Sequence, residues 1–261
     1  MSRAAVRVIV PCFNEEKRFP TESFLSFIKR EEDYDFLFVD DGSSDGTAVL
    51  LEKVCALMPD RLHVLKSQPN QGKAAAVRLG FLHALESQTP RFLAYWDADL
   101  ATPLETLPEF FRVFRERPEV EIVLGSRVKL LGWDIQRQIL RHYLGRVFAT
   151  CASHVLRLPV YDTQCGAKMF RVNAVLHEIW REPFLSRWIF DVELLARYLS
   201  ARQDNPFDSE RRIYESPLKT WRDVKGSKVK PADFFKAFAE LFRIQMRYGR
   251  IISSSCAKVG S

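Results

Sequence analysis

The chain has 261 residues, nearly half of them hydrophobic, and a formal charge of +6. That suffices for one large α/β domain with a substantial core, while no apolar run reaches the ~18 residues needed to span a bilayer and no secretory signal is evident. The five cysteines include no C-x-x-C pair, which argues for reduced thiols and against a structural zinc site; the basic balance suits nucleic acid, anionic lipid or phosphorylated substrates alike.

Taken in order, Val6 to Val10 predicts a buried first strand, ended by Pro11 and followed by a loop over Cys12, Phe13, Asn14, Glu15 and Glu16. Phe36 to Val39 predicts a second strand. It runs into Asp40-Asp41-Gly42-Ser43-Ser44-Asp45-Gly46-Thr47, where Gly42 permits a tight turn and Ser44 or Asp45 can cap a helix through Val49, Leu50 and Val54. Leu62 to Leu65 is the third strand, and Asn70-Gln71-Gly72-Lys73 opens the next helix. Phe92 to Trp96 is the fourth strand, followed by a helix from about Pro103 to Arg115. Glu121 to Leu124 is the fifth, ending in Gly125-Ser126-Arg127. Strands alternating with helices at this spacing imply a doubly wound, mostly parallel α/β sheet with helices on both faces.

The second half is less regular. Trp133, Ile135, Ile139, Leu140, Tyr143, Leu144, Val147 and Phe148 recur at helical spacing, with Arg137, Arg141, His142 and Arg146 among them. Such a basic amphipathic helix can lie on a membrane surface or pack on the core with a solvated basic face. Tyr161 to Phe170 reads as a loop entering a short strand, and Trp188 to Leu195 as a helix start. Ala201 to Ser209 reads as a polar loop, Ile213 to Pro217 as an edge strand and Thr220 to Lys230 as a flexible cationic loop. A last amphipathic helix starts at Pro231, with a frayed tail from Ser253. These elements are expected to form one domain over 1–252, with halves at 1–127 and 128–252 and a flexible tail at 253–261.

The chemistry centres on Asp97-Ala98-Asp99, where the fourth strand ends. Ligands of open α/β sheets bind outside the carboxyl ends of the strands. On an extended backbone the two carboxylates point to one side and suit a hard divalent cation, Mg²⁺ or Mn²⁺, which is most useful against diphosphate charge. The alternative is a polar turn in which Asp99 caps the following helix. No G-x-G-x-x-G follows the first strand and no G-x-x-x-x-G-K-[ST] occurs, which removes support for a dinucleotide oxidoreductase or a P-loop NTPase.

Several motifs together resemble the family-2 glycosyltransferases with the GT-A fold. In the first half they are Val10 to Glu15, Val39 to Thr47, Asn70 to Lys73, Asp97-Ala98-Asp99 and Gly125-Ser126-Arg127. In the second they are Asp162 to Gly166, Arg187 to Leu195 and Gly226-Ser227-Lys228. The second-half motifs are more specific and resemble the dolichyl-phosphate glucosyltransferase and mannosyltransferase branch; Leu100-Ala101-Thr102, Trp221 and Gly226-Ser227-Lys228 lean toward the glucosyl side. The N-terminal anchor or C-terminal membrane helices of many such relatives are not evident here.

The resemblance implies an inverting, metal-dependent transfer of a hexose from a nucleotide-sugar, UDP-glucose favoured, to a polyprenyl phosphate. The protein is then expected to be cytoplasmic and peripheral at the cytosolic face of a membrane. It places the donor nucleotide near Pro11, Phe13, Glu15, Asp41, Lys73 and Asp97, with the metal on Asp99 and Asp97. Asp41 can accept from a uracil imide N–H or simply form a turn. The acceptor phosphate is assigned to Arg127, Arg137 and Arg141, of which the last two share a helix face. Asp191 aligns with the general base of relatives with hydroxyl acceptors, and Asp162 is the competing choice. Lys225, Ser227 and Lys228 form a loop that can close over the diphosphate. GDP-mannose or a soluble saccharide acceptor is the nearest variant. A non-catalytic nucleotide- or nucleic-acid-binding protein is the alternative from another class; no nucleic-acid module is recognisable, so no nucleic-acid partner is expected.

Overall fold

Val6, Val8 and Val10 of the first strand enter one hydrophobic core and Ile9 enters another. Both faces of this strand are therefore dry, as a parallel sheet covered by helices on each side requires. The computed structural model describes residues 4–86, 90–128, 134–136, 139–202, 206–222 and 231–257, without the side chains of 136, 139–144, 206–207, 231–235 and 254–257.

The first half alternates as β1 (Val6–Cys12), α1 (Thr21–Arg30), β2 (Tyr34–Asp41), α2 (Thr47–Ala56), β3 (Leu62–Ser67), α3 (Lys73–Glu86), β4 (Phe92–Trp96), α4 (Thr106–Glu116) and β5 (Ile122–Ser126). The second half continues with β6 (Asp134–Gln136), α5 (Ile139–Leu156), β7 (Ala167–Arg171), α6 (Ala174–Arg181), α7 (Phe190–Arg202), α8 (Pro206–Arg212), β8 (Ile213–Pro217), β9 (Thr220–Arg222) and α9 (Pro231–Ala257).

Seven strands form one sheet in the order β3-β2-β1-β4-β7-β5-β8. All pairs are parallel except those of β7, which runs antiparallel between β4 and β5. The amino end of β7 thus lies at the same edge as the carboxyl ends of the other strands. The short β6 and β9 pair separately. Residues of α1, α2 and α4 fill the core on one face; those of α3, α5, α6, α7 and α9 fill the other.

Several expectations change in detail. Pro11 does not end β1, because Pro11 and Cys12 still pair with Val39 and Asp40. Pairing with β4 stops at Ile9, so the proline sits where β1 is bonded on one side only, as strand prolines require. Helix α1 was not anticipated, although Phe24, Leu25, Phe27 and Ile28 give it an apolar stripe. The apolar residues read at helical spacing from Trp133 onward do not form one helix: strand β6 takes Asp134–Gln136 and the helix begins at Ile139. The polar loop expected over 201–209 contains α8, and the cationic loop starts with β9. Helix α9 continues to Ala257, past the expected start of the tail at Ser253. The edge position of β8 is as expected.

Candidate active site

The carboxyl ends of β1, β2, β4 and β5, the loop before β7 and the start of α7 surround a cavity of about 660 Å³. Its lining includes Pro11, Phe13, Glu15, Asp41, Lys73, Asp97, Asp99, Arg127, Asp162 and Asp191. The topology thus gathers residues from across the chain at one sheet edge.

On the nucleotide side, Asp41 organises a loop. Its Oδ1 accepts from the Gln71 N–H at 3.0 Å; Oδ2 accepts from the Gly72 N–H at 2.7 Å and Asn70 Nδ2 at 2.9 Å. Burial pushes its carboxyl pKa up, against the opposing pull of the two N–H groups. Gly42 and Gly72 both have positive φ, and a Cβ on Gly42 would meet the Asn70 nitrogen at 2.8 Å, so this loop packs directly on the turn after β2. Glu15 is buried and forms a two-point ion pair with Arg18, both bonds at 2.5 Å.

Asp97 and Asp99 do not lie on an extended backbone. The Leu100 N–H donates to the Asp97 carbonyl at 3.2 Å and Leu100 has φ 51°, so the segment is a tight turn. The turn still delivers both carboxylates to the cavity. Asp97 Oδ1 pairs with Lys73 Nζ at 2.6 Å, and Asp99 Oδ1 accepts from the Ala101 N–H at 3.1 Å. Neither Oδ2 has a hydrogen bond among the described residues. Burial raises the Asp99 carboxyl pKa, and the neighbouring Asp97 charge raises it further. A Cβ on Gly166 would lie 1.8 Å from Asp97 Oδ2, so a side chain there would displace this carboxylate.

The opposite wall is held by buried ion pairs. Lys168, fully buried, donates to Asp191 Oδ1 at 2.6 Å, to Tyr95 Oη at 2.8 Å and to the Cys165 carbonyl at 2.7 Å. Tyr95 Oη also donates to Asp191 Oδ1, which leaves Asp191 Oδ2 without a hydrogen bond among the described residues. Arg127 grips Asp162 through Nε at 2.6 Å and Nη2 at 2.8 Å, and its guanidinium lies 5.3 Å from the Trp221 ring centroid. Burial lowers the Arg127 pKa, but the charge and hydrogen bonds of Asp162 outweigh that and raise it overall. Two further cations reach the cavity. Arg146 lies over the Tyr161 ring at 3.6 Å and donates to the Tyr161 carbonyl at 3.2 Å; Arg187 donates to the Gln71 carbonyl at 3.1 Å. Neither has a carboxylate partner among the described residues.

Residues 7–177 match the family described as glycosyl transferase family 2. The chain belongs to that family. This glycosyltransferase is 30% identical to the dolichyl-phosphate beta-glucosyltransferase of Dictyostelium discoideum and 32% identical to that of Drosophila melanogaster. Each match covers 92% of this chain and 74% of the relative. Glucosyl-3-phosphoglycerate synthase from Mycobacterium tuberculosis in complex with uridine-diphosphate is similar in structure with TM-score 0.63 at 16% identity, over 93% of this chain and 80% of that one. Its complex with Mn²⁺, UDP-glucose and phosphoglyceric acid gives 0.62 at 15% identity, over 97% and 80%. The GT-A-like fold expected from the sequence is the one observed.

The glycosyltransferase brings together Pro11, Phe13, Glu15, Asp41, Lys73, Asp97, Asp99, Arg127, Asp162 and Asp191. Arg137, Lys225, Ser227 and Lys228 lie outside the described residues, as does the side chain of Arg141. The pairing of Arg127 with Asp162 engages the guanidinium assigned to the acceptor and the competing candidate base in one ion pair. Sequence inspection missed Tyr95 and Lys168, which look like ordinary strand residues until β4 and β7 pair them across the sheet. It also missed Arg18, Arg146 and Arg187 as cavity cations. Thr163 Oγ1 and Gln164 Nε2, buried and without partners among the described residues, belong to two residues that line the cavity. Their place inside the Asp162 to Gly166 motif was the available signal.

Among the described residues no three His, Cys, Asp or Glu side chains converge as a metal site. The donor set of Asp97 and Asp99, each with an unbonded oxygen, fits a hard cation held by two carboxylates and completed by substrate phosphates and water.

Proposed function

We propose that this enzyme transfers glucose from UDP-glucose to the phosphate of a polyprenyl phosphate such as dolichyl phosphate, with inversion, at the cytosolic face of a membrane. The observation that carries this is the pair of unbonded carboxylate oxygens on the Asp97–Asp99 turn. They face a cavity in a chain whose relatives, over nine-tenths of its length, are dolichyl-phosphate beta-glucosyltransferases. Asp99 and Asp97 would hold Mg²⁺ or Mn²⁺, which when bound neutralises the leaving diphosphate.

The loop fixed by Asp41, with Pro11, Phe13 and Glu15, receives the uridine, and Lys73 holds Asp97 in place. An acceptor phosphate is already anionic near neutral pH, so it needs orientation and desolvation more than deprotonation. Arg146, without a carboxylate partner among the described residues, offers it charge, beside the Arg127 guanidinium that Asp162 holds through Nε and Nη2. Asp191, fixed through Oδ1 by Lys168 and Tyr95, presents Oδ2 to orient the acceptor or take a residual proton. An acceptor oxygen forms the new bond to the anomeric carbon as the carbon–oxygen bond to the diphosphate breaks. Attack from the face opposite UDP gives a β-linked glucosyl phosphate from an α-linked donor.

The test is a thermal-shift panel with UDP-glucose, UDP-N-acetylglucosamine and GDP-mannose, each with and without Mn²⁺, followed by transfer to a polyprenyl phosphate. A metal-dependent shift with UDP-glucose is expected. Asp99→Asn is expected to lose that shift and to lower transfer by about 10²–10³-fold, the scale of losing one electrostatic element of an active site. Its stability is expected to move the other way. Because the folded pKa of Asp99 is raised, its stabilising contribution is present at low pH and lost as pH rises through the folded value. Above that value the ionised carboxylate destabilises the metal-free fold, so without metal near pH 7.5 the variant should melt no lower than wild type. A shift only with GDP-mannose would reassign the donor; no shift with any nucleotide would overturn the proposal.

A further inference from the structure

Helix α9 has two apolar stripes, and only one is used. Ala237, Leu241, Ile244 and Ile252 are buried in the core shared with α5 and α7. Phe238, Phe242 and Met246 recur every four residues on a different arc and remain 38%, 65% and 66% exposed. At 3.6 residues per turn, Arg243 and Arg250 fall within about 60° of Met246 on the side away from the core, while Arg247 lies further round; all three are exposed. Over 236–253 the helix has one acidic residue, Glu240, and its carboxylate is turned inward to Ser186 Oγ and the Ile189 N–H. Over this stretch the outer face is thus an apolar band bordered on one side by positive charge and free of negative charge.

The band also lies beside the cavity. Phe238 contacts Phe148 of α5 with ring centroids 6.0 Å apart, and Phe148 and Ala237 line the cavity. Val147, next to Phe148, is 56% exposed, and Trp188, also a lining residue, is 43% exposed. Singly exposed apolar residues need no explanation, but a contiguous band at a cavity wall does. A helix with an apolar stripe and arginines along one side suits a membrane interface, the stripe among the acyl chains and the guanidinium groups at anionic head groups.

We propose that α9 docks this glycosyltransferase on an anionic lipid surface through Phe238, Phe242 and Met246, with Arg243 and Arg250 at the head groups. Docked this way, the cavity wall formed by α5 and α9 borders the bilayer. This rests on the lipid-phosphate proposal above and deepens it by naming the surface that brings the enzyme to its acceptor.

The experiment is flotation of the full chain with vesicles of phosphatidylcholine alone and with phosphatidylserine added. Wild type is expected to float with the phosphatidylserine vesicles. The double substitution Phe242→Glu, Met246→Glu should weaken flotation at least about tenfold, since burying either side chain is worth about a decade of affinity. Replacing Arg243 and Arg250 by alanine should remove the preference for phosphatidylserine. Both variants should keep the wild-type thermal shift with UDP-glucose and Mn²⁺ and the wild-type transfer to a short, water-soluble polyprenyl phosphate. That separates the two proposals: loss of transfer in solution concerns the acceptor, loss of flotation concerns α9. The docking is overturned if wild type floats with neither vesicle or the glutamate variant floats as well as wild type. It is equally overturned if the substitutions instead dissolve a concentration-dependent dimer, which would assign the band to a second copy.

Discussion

At the level of single residues, the decisive feature is a lysine with no solvent exposure. Lys168 lies between Asp191, Tyr95 and the Cys165 carbonyl, so all three ammonium hydrogens have an acceptor. A buried charge is tolerated only when paired and hydrogen-bonded in this way. Lys168 is therefore a positioning residue that fixes Asp191 for the cavity. Lys168→Met should lower stability by about 3–5 kcal/mol, because it strands a buried carboxylate. Adding Asp191→Asn should restore a large part of that loss, since the amide oxygen still accepts from Tyr95, while transfer stays low in both. Urea unfolding and a transfer assay on the two variants check this. A double variant as unstable as the sum of the singles would mean that the pair is not coupled.

Among the elements, α3 matters most, because it carries Lys73 to Asp97. Its approach to the sheet is set by Gly80, where a Cβ would meet Ile9 Cγ2 at 2.5 Å and Val39 Cγ2 at 3.0 Å. Both contacts are with stiff, β-branched side chains of the central strands. In an exposed helix, Gly→Ala gains about 1 kcal/mol. Here Gly80→Ala is expected to reverse that sign and destabilise by roughly 1–3 kcal/mol through overpacking. It should also weaken the metal-dependent UDP-glucose shift, as α3 is pushed off the sheet. A stabilised variant would show that the sheet yields at this point. Helix α7 is a second case: buried on every side from Phe190 to Leu199, it accommodates Glu193 and Arg197 by pairing them at 2.7 Å one turn apart. Its buried length fixes the position of Asp191 at its first turn.

For the whole molecule, the seven-stranded sheet separates two cores, and the central strands contribute alternate side chains to each. Trp96 belongs to one core and Trp180 to the other. Because neither core exists without the sheet, the molecule is expected to unfold as one unit. Urea curves followed by far-UV circular dichroism and by tryptophan fluorescence should superimpose, and should still do so in Trp96→Phe and Trp180→Phe. Separate midpoints would mean that the two cores come apart independently. Burial also pushes the Cys55 thiol up to about 11 and raises those of Cys12 and Cys165, which fits reduced, inert core thiols.

The amino-acid sequence by itself determined the strand-and-helix alternation of the first half, because Val6–Val10, Phe36–Val39 and Phe92–Trp96 are short apolar runs separated by turn residues. It also marked the loops that line the cavity, since polar residues follow each strand and local spacing reveals them. What only the tertiary structure decided depends on contacts between distant segments. The antiparallel β7 brings Lys168 to Tyr95, and α7 brings Asp191 to both, from positions 95, 168 and 191. The Arg127–Asp162 pair and the approach of Gly166 to Asp97 arise in the same way. So does the exposure of the second stripe on α9: a periodic apolar pattern marks two faces alike, and only the packing of α5 and α7 decides which one is covered.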